Sequence, residues 1–502
     1  MPGVVETGRI SSRRPAQPSA RWYGRLTWPS PEALARTGFA VLCVAVAAGY
    51  VLYPTYPSYD PLYALIWGAE VADLELPSFD AYRAPTAHPL TIVLGALLSP
   101  LGESADRVLL ALNVASYVVL VAGVYRLTRV AVSPLAGWVA GLLVLSRLDF
   151  ANYAVRGYVD IPYLALVVWS AALMAQRKRP GVVWGLLIAA GLLRPEGWAL
   201  LALYAVYRGW QESWPKRFRF VALAALAPLG WMGMDLIVTG HVLYSLTYTQ
   251  GSADTLGHSV GLLEVPETLF RFLVQLTKPP IVVAGLAGVA LSMAVAPRRM
   301  AVPAALLLAG IATYVATTVI GLSAIPRYLA VSALALLVFA AFAFCGFRLL
   351  PPHTPARRVW GSASVAVALA GCLYTAANFS PGYLDDQLRL RSQAREELEV
   401  LLAAPPVQEA KACGPVSVPN HKAIPDVRWI ESLGPAGVVA RSDPAQAPRA
   451  RRGVAVFVRG ALLPDPTYDP FQVESDPRDI QVPGPGFEPA GTGELWSVYV
   501  RC

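Results

Sequence analysis

Long uncharged apolar segments recur along most of this chain and restrict it to folds that can lie in a membrane. A membrane-spanning helix needs about 20 predominantly apolar residues. Hydrophobic residues make up 55% of the sequence and charged residues only 15%, whereas soluble domains carry about a quarter charged residues. We therefore predict a polytopic α-helical membrane protein with about eleven transmembrane helices, near residues 37–53, 107–126, 131–147, 159–175, 181–193, 198–208, 219–238, 280–296, 300–321, 328–347 and 359–377. The stretch 181–208 is also compatible with one long helix.

Basic residues are concentrated in alternate loops. If the basic N-terminal segment 1–36 is cytoplasmic, the loops on its side each carry at least two Lys or Arg: 125–130, 176–180, 208–219, 297–299 and 347–358. Most loop carboxylates lie in the opposite set: 54–106, 148–158, 194–197, 239–279 and 322–327. This is the positive-inside pattern, so the net charge of +8 requires no nucleic-acid partner. Abundant Ala, Gly, Pro and Arg are typical of a GC-rich genome, and we expect a bacterial plasma membrane.

The predicted first outer loop, 54–106, is the most polar and aromatic part of the transmembrane domain 37–377. Within it, 89–101 is bounded by prolines and too short to span comfortably, so we predict an interfacial helix. Counting it as a span would invert every later loop. Glu70 and Asp73 are interpreted as ordinary polar positions on another short interfacial helix.

The character of the chain changes after residue 377. An amphipathic helix is predicted over 388–404, and short apolar runs then alternate with Pro and Gly. The region 378–502 is predicted to be a soluble mixed α/β domain, which an odd number of spans places outside the cell. Cys413 and Cys502 can form a disulfide in such an oxidising compartment, although two free thiols remain an alternative.

Ionisable residues near the predicted outer ends of spans are the candidates for chemistry, since charge at membrane depth is costly. The sequence contains no metal-finger spacing, serine-hydrolase elbow, phosphate-binding glycine loop or HExxH motif. No metal-ligand set is predicted, but a divalent cation, held with the help of His88, remains an option.

The order of these residues resembles the GT-C class of glycosyltransferases, especially its protein O-mannosyltransferase and aminoarabinose transferase branch. The resemblance covers about 37–345 and rests on Asp60 after the first span, His88-Pro89-Leu90 before the interfacial helix, Arg107 at the second span, Asp160 at the fourth, Arg194 to Trp198 between the fifth and sixth, and Arg327-Tyr328 late in the chain. It implies a GT-C-like fold and a polyprenyl-phosphate-sugar donor. Tyr-Asp stands where many relatives have Asp-Glu, and the C-terminal domain lies outside the shared part.

Inverting glycosyl transfer needs a carboxylate that accepts the proton of the acceptor hydroxyl. We expect Asp60 to be this base, with a helix N-cap as its structural alternative, and Asp80 is the second candidate. Arg194, Arg327 and His88 are predicted to bind the donor phosphate, although Arg194 could instead pair with Glu196 and Arg327 could be a membrane-surface anchor. Further substrate contacts are assigned to Asp160, Glu196, Tyr244, Tyr248 and Tyr328.

The sequence thus predicts an inverting glycosyltransferase that acts on the extracytoplasmic face and passes a sugar to a glycan, lipid or protein acceptor. A transporter or flippase of a lipid-linked precursor is one alternative. It is disfavoured because the charges lie at span ends rather than at mid-bilayer. A scaffold that has lost its chemistry is the other.

Overall fold

The computed structural model describes residues 30–255, 260–378, 381–463 and 483–502. Most of the predicted basic segment 1–36 therefore lies outside the described residues. The helices in these ranges are α1 (Pro31–Leu52), α2 (Tyr59–Ala72), α3 (Pro89–Leu98), α4 (Ala105–Ala131), α5 (Pro134–Leu145), α6 (Leu148–Val155), α7 (Asp160–Ala175), α8 (Pro180–Leu193), α9 (Glu196–Gly209), α10 (Trp214–Thr239), α11 (Tyr244–Thr255), α12 (Val265–Thr277), α13 (Pro279–Val295), α14 (Ala301–Val319), α15 (Ala330–Cys345), α16 (Pro355–Asn378), α17 (Pro381–Leu402), α18 (Pro405–Ala410) and α19 (Ile424–Glu431). The strands are β1 (Val416–Val418), β2 (Val438–Ala440), β3 (Gly453–Val458), β4 (Glu488–Thr492) and β5 (Trp496–Arg501).

The predicted class, a polytopic helical membrane protein, is confirmed. Every predicted apolar segment coincides with a helix. Over the described ranges, six helices are long and apolar enough to cross a membrane, or up to eight if each of two bent pairs forms one span. These pairs are α5 with α6, bent by 63°, and α12 with α13, bent by 107°. The count of eleven spans is not confirmed, because helices such as α7 and α8 are apolar but short.

A proline divides the stretch that was compatible with one long helix. Helix α8 ends at Leu193, and Arg194 is extended, with φ −146° and ψ 135°. The ring of Pro195 disfavours helical backbone at the residue before it. Helix α9 then begins at Glu196, so the chain forms two helices with Arg194 and Glu196 at the break.

The stretch 239–279, predicted as a loop, contains helices α11 and α12. Helix α12 buries Phe272, Leu273 and Leu276, while Glu267 and Arg271 are exposed. Average hydropathy does not reveal such a helix, because its apolar residues occupy only one face. The described residues of 239–279 are therefore more helical than the sequence pattern indicated.

Helices α2 and α3 touch each other through two glycines. A Cβ on Gly68 would overlap the backbone of Gly95, and a Cβ on Gly95 would overlap the Ala64 carbonyl. Only glycine permits so close a contact. It fixes the two short helices that begin beside Asp60 and His88.

The C-terminal domain is a five-stranded mixed sheet covered by helices, which confirms the predicted mixed α/β class. The strand order is β2-β1-β3-β5-β4. Strand β1 pairs in parallel with β2 and β3, and β5 pairs antiparallel with β3 and β4. Strand β3 is fully buried, and the face of α17 that carries Ala394, Leu398 and Leu402 packs into the same apolar core.

The predicted disulfide is present. Cys413 lies shortly before β1 and bonds to Cys502 after β5, with 5.2 Å between their Cα atoms and a sequence separation of 89. It ties the end of the chain to the first strand of the sheet.

Removing this disulfide should destabilise the C-terminal domain. We expect the double variant Cys413→Ser, Cys502→Ser to lose about 2–4 kcal/mol of unfolding free energy, because the closed loop is long. The measurement is resistance of the C-terminal domain to limited proteolysis as temperature rises. Cys372→Ser is the matched control, since Cys372 is an exposed free thiol. Equal resistance of the double variant and this control would contradict the prediction.

A buried arginine attaches the C-terminal domain to the first outer loop. The side chain of Arg428, in α19, is 0% exposed. Its Nη2 donates to Glu70 Oε1 at 2.8 Å and its Nη1 to Ser78 Oγ at 3.2 Å, while the other Glu70 oxygen accepts from the Ser78 N–H at 2.8 Å. The interpretation of Glu70 as an ordinary polar position is therefore wrong: it is a docking residue.

A second ion pair joins the same two parts, between Arg395 of α17 and Asp106 at the start of α4, at 2.7 Å. The other ends of the helices carry different contacts. There Arg129 pairs with Glu32 at 3.0 Å, and Arg126 donates to Gln176 at 2.8 Å. The C-terminal domain and the first outer loop thus lie at one end of the helical bundle, and basic residues of the predicted inner loops lie at the other.

Candidate active site

Asp60 stands in the first turn of α2. Ser58, not Asp60, is the residue that precedes the helix, and its N–H and hydroxyl both donate to the Arg156 carbonyl, at 2.9 and 3.0 Å. The structural alternative of Asp60 as the N-cap is therefore wrong. The Asp60 carboxylate is 24% exposed, and its Oδ2 lies 3.4 Å from Nη1 of Arg327.

Arg327 joins carboxylates from two different helices. It lies in the short turn Pro326–Leu329 ahead of α15. Its Nη1 is 3.4 Å from Asp60 and 3.5 Å from Oδ2 of Asp160, and its guanidinium stacks over the Tyr158 ring at 4.8 Å. Arg327 therefore orients the Asp60 carboxylate, which a residue that only anchors the chain at the membrane surface would not do.

Arg194 is enclosed by acidic and aromatic partners. It forms an ion pair with Asp160, and its Nη2 lies 2.6 Å from Glu196 Oε1. All three side chains are buried, with Arg194 only 5% exposed. The guanidinium also lies over the rings of Tyr328 and Tyr163, at 5.1 and 5.8 Å. The pairing alternative for Arg194 is thus realised, and its charge is already matched.

His88 immediately precedes α3. Its ring packs edge-on against Trp231, with 5.6 Å between centroids. Burial lowers the pKa of His88 to about 4, so the imidazole is neutral near pH 7. Within the described residues its buried Nδ1 has no hydrogen-bond partner. A neutral imidazole can therefore accept from or donate to a bound hydroxyl or phosphate.

Two cavities meet at Asp60 and His88. The first, of about 710 Å³, is apolar and runs between α3, α4, α7 and α8. It begins at Asp60, passes leucines and valines such as Leu97 and Val182, and reaches Arg179 before α8. The second, of about 480 Å³, is lined by charged and hydroxyl-bearing residues together with apolar ones and also includes Asp60 and His88; we call it the polar cavity. An apolar chain with a polar head fits this arrangement, with the head beside Asp60.

The structure places the other predicted residues unequally. Glu196, Tyr248 and Tyr328 line the polar cavity, whereas Asp160 lies behind it, bonded to both arginines. Tyr244 stacks on Tyr248, with 5.5 Å between centroids. Its hydroxyl donates to the Phe79 carbonyl at 3.1 Å, so it supports the wall from behind. Asp80 is exposed and lines neither cavity.

Four further residues line the polar cavity and were not predicted from the sequence: Asp235, Arg83, His421 and Lys422. Asp235 is buried in α10, and its two oxygens accept from the N–H and hydroxyl of Ser245, at 2.9 and 2.6 Å. Asp235 could have been recognised from the sequence, because it is a lone carboxylate inside the apolar segment 219–238. No sequence signal singled out the C-terminal residues His421 and Lys422.

The acidic residues Asp60, Asp160 and Glu196 of this site are partnered by arginine. In the part of the chain that the structure describes, no group of three or more His, Cys, Asp or Glu side chains could hold a metal ion. The carboxylates of Asp60 and Asp160 are instead bridged by Arg327.

No protein-family model matches the sequence, and no curated protein is significantly similar to it. Among solved structures, the chain resembles ArnT from Cupriavidus metallidurans bound to undecaprenyl phosphate, with a TM-score of 0.55, 15% identity, and coverage of 93% of this chain and 97% of that one. The apo state of that ArnT matches with a TM-score of 0.53, 17% identity, and coverage of 93% of this chain and 98% of that one. The apo oligosaccharyltransferase of Archaeoglobus fulgidus matches with a TM-score of 0.50, 14% identity, and coverage of 84% of this chain and 69% of that one. The chain therefore has the fold of these GT-C class proteins.

Proposed function

We propose that this protein is an inverting glycosyltransferase that moves a sugar from a polyprenyl-phosphate donor to an acceptor hydroxyl on the extracytoplasmic face of the membrane. The observation that carries the proposal is the junction of an apolar and a polar cavity at a single carboxylate, Asp60. The likeness in fold to an ArnT that binds undecaprenyl phosphate supports the same donor class.

The apolar cavity suits the hydrocarbon part of such a donor. Its lining between α3 and α8 is almost entirely apolar, and burying apolar surface there is favourable by about 25 cal/mol per Å². The polyprenyl chain would lie along this cavity. Its phosphate and sugar would extend past His88 into the polar cavity, where Tyr248 offers a ring face to the sugar and Glu196 a hydrogen-bond acceptor.

The reaction needs one base and a stabilised leaving group. The acceptor oxygen attacks the anomeric carbon while Asp60 takes the hydroxyl proton. The bond from the anomeric carbon to the phosphate oxygen breaks, and both electrons go to the polyprenyl phosphate. Attack from the face opposite the phosphate inverts the configuration, and one carboxylate is enough because phosphate leaves as an anion.

The same proposal assigns sides and parts to the molecule. The cytoplasmic side would hold the N-terminal segment and the basic loops, in keeping with the positive-inside rule. The outer side would hold loop 54–106 and the C-terminal domain, which share one end of the bundle through Glu70 and Arg428. The domain limits are then a cytoplasmic segment 1–36, a transmembrane domain 37–377 and an outer domain 378–502.

A transfer assay with the purified protein in liposomes tests this function. The liposomes are supplied with a panel of radiolabelled undecaprenyl-phosphate sugars and membrane glycolipid acceptors. We expect one donor to lose its sugar to an acceptor, and the transferred sugar to have the inverted anomeric configuration in the product. A transporter would carry the donor across the bilayer intact, and a scaffold would bind it without turnover. Either of those results, or consumption of no donor, would contradict the proposal.

A further inference from the structure

The two arginines beside Asp60 do not supply net positive charge for a phosphate. Arg194 is paired with Asp160 and Glu196, and Arg327 with Asp60 and Asp160. Three carboxylates thus face two guanidinium groups in this cluster. Transfer of a charged group out of water is costly unless an opposite charge compensates it. An anionic phosphate in the polar cavity therefore requires cations that the cluster has not already used.

Lys422, contributed by the C-terminal domain, meets this requirement. It lies just ahead of α19, where its backbone N–H donates to the Asn420 side chain at 3.0 Å, and it lines the polar cavity. Its ammonium sits over the Tyr59 ring at 4.6 Å, one residue from Asp60. Within the described ranges no carboxylate oxygen lies within ion-pair distance of Lys422, in contrast to Lys411, which pairs with Glu431.

The surroundings of Lys422 are electropositive. Burial is the main cause that lowers its pKa, and Arg327, Arg83 and Arg156 act in the same direction, whereas Asp60 alone among the main charges raises it. Arg83 lines the cavity too, and its Nε donates to the Tyr82 hydroxyl at 3.2 Å, a neutral partner. Lys422 and Arg83, which have no carboxylate partner among the described residues, thus bring positive charge beside Asp60 that favours binding of an anion.

We propose that Lys422 binds the donor phosphate, with Arg83 as the second cation, so that the C-terminal domain forms part of the donor site. This rests on the proposed function and adds a residue to it. Donor binding then bridges the outer loop and the C-terminal domain through one phosphate group. As the bond to the sugar breaks, the ammonium stabilises the negative charge that develops on the leaving phosphate.

Binding of undecaprenyl phosphate and of undecaprenol to the full-length protein tests this assignment. The two lipids share the hydrocarbon chain and differ only in the phosphate. We expect Lys422→Met to weaken undecaprenyl phosphate binding by about tenfold to a hundredfold, the range for a hydrogen bond between charged groups. Undecaprenol binding should stay unchanged. Lys422→Arg should restore most of the phosphate preference, because the positive charge is kept.

Lys216→Met is the matched control, since Lys216 pairs with Glu212 and lines neither cavity. Unchanged phosphate binding in Lys422→Met would overturn the assignment while the proposed function stands. Parallel loss of both lipids would overturn it as well, because it would show a structural defect. If the wild-type protein does not prefer undecaprenyl phosphate to undecaprenol, the proposed function itself fails.

Discussion

Asp60→Asn should reduce sugar transfer by about 10²- to 10⁴-fold, the usual contribution of a positioned general base. The amide keeps the size of the carboxylate and can still accept from Arg327 Nη1, which lies 3.4 Å from Asp60 Oδ2. It cannot take a proton from the acceptor hydroxyl. The measurement is the initial rate of sugar transfer at saturating donor, together with the affinity for undecaprenyl phosphate, which should change little.

Asp80→Asn is the control for this result. Asp80 comes from the same outer loop but is exposed and lines neither cavity, so its variant should retain wild-type activity. Full activity in Asp60→Asn would remove Asp60 from the mechanism. Loss of activity in Asp80→Asn alone would move the base to that residue.

Arg194→Met should strongly destabilise the membrane domain. It leaves the buried carboxylates of Asp160 and Glu196 without their main partner. Removal of one member of a buried ion pair typically costs about 3–5 kcal/mol, because the remaining charge is left uncompensated. We expect a lower apparent melting temperature in detergent and a smaller yield of folded protein.

A compensating variant separates charge from packing. Adding Asp160→Asn and Glu196→Gln to Arg194→Met removes the unpaired charges, and most of the lost stability should return. Arg271→Met is the exposed control, since Arg271 is 60% exposed and contacts Glu267 at 3.9 Å; such pairs contribute at most about 1 kcal/mol. A wild-type melting temperature for Arg194→Met would show that the network is not structural.

The helical fold could be predicted because each membrane-compatible segment is recognisable from the hydrophobicity of consecutive residues. Each apolar segment, and the break at Pro195, depends on residues that are neighbours in sequence. Helices α11 and α12 were missed for different reasons: the apolar residues of α12 lie along one face, whereas α11 contains few apolar residues. The predicted count of eleven spans is not confirmed, since α7 and α8 are shorter than an ordinary crossing.

The proximity of Asp60, Asp160 and Arg327 could also be predicted, since each stands at the same end of a predicted span, while their roles stay a prediction. Once the spans are parallel, these ends meet. The pairing of Arg194 with Glu196 was one of two alternatives, and only its surroundings decide between them. Lys422 could not be found in this way, because it comes from another domain and is positioned by tertiary contacts such as that between Arg428 and Ser78, 350 residues apart.

The contact between Arg428 and Glu70 also has a consequence for the order in which the protein folds during synthesis. Loop 54–106 leaves the ribosome early, but the guanidinium that neutralises Glu70 is made near the end of the chain. The disulfide that joins the segments beside β1 and β5 also requires Cys502, which follows Arg428 in sequence. A nascent chain that stops before Arg428 therefore leaves the Glu70 carboxylate without its guanidinium partner, and loop 54–106 reaches its docked arrangement only after the C-terminal domain has been synthesised.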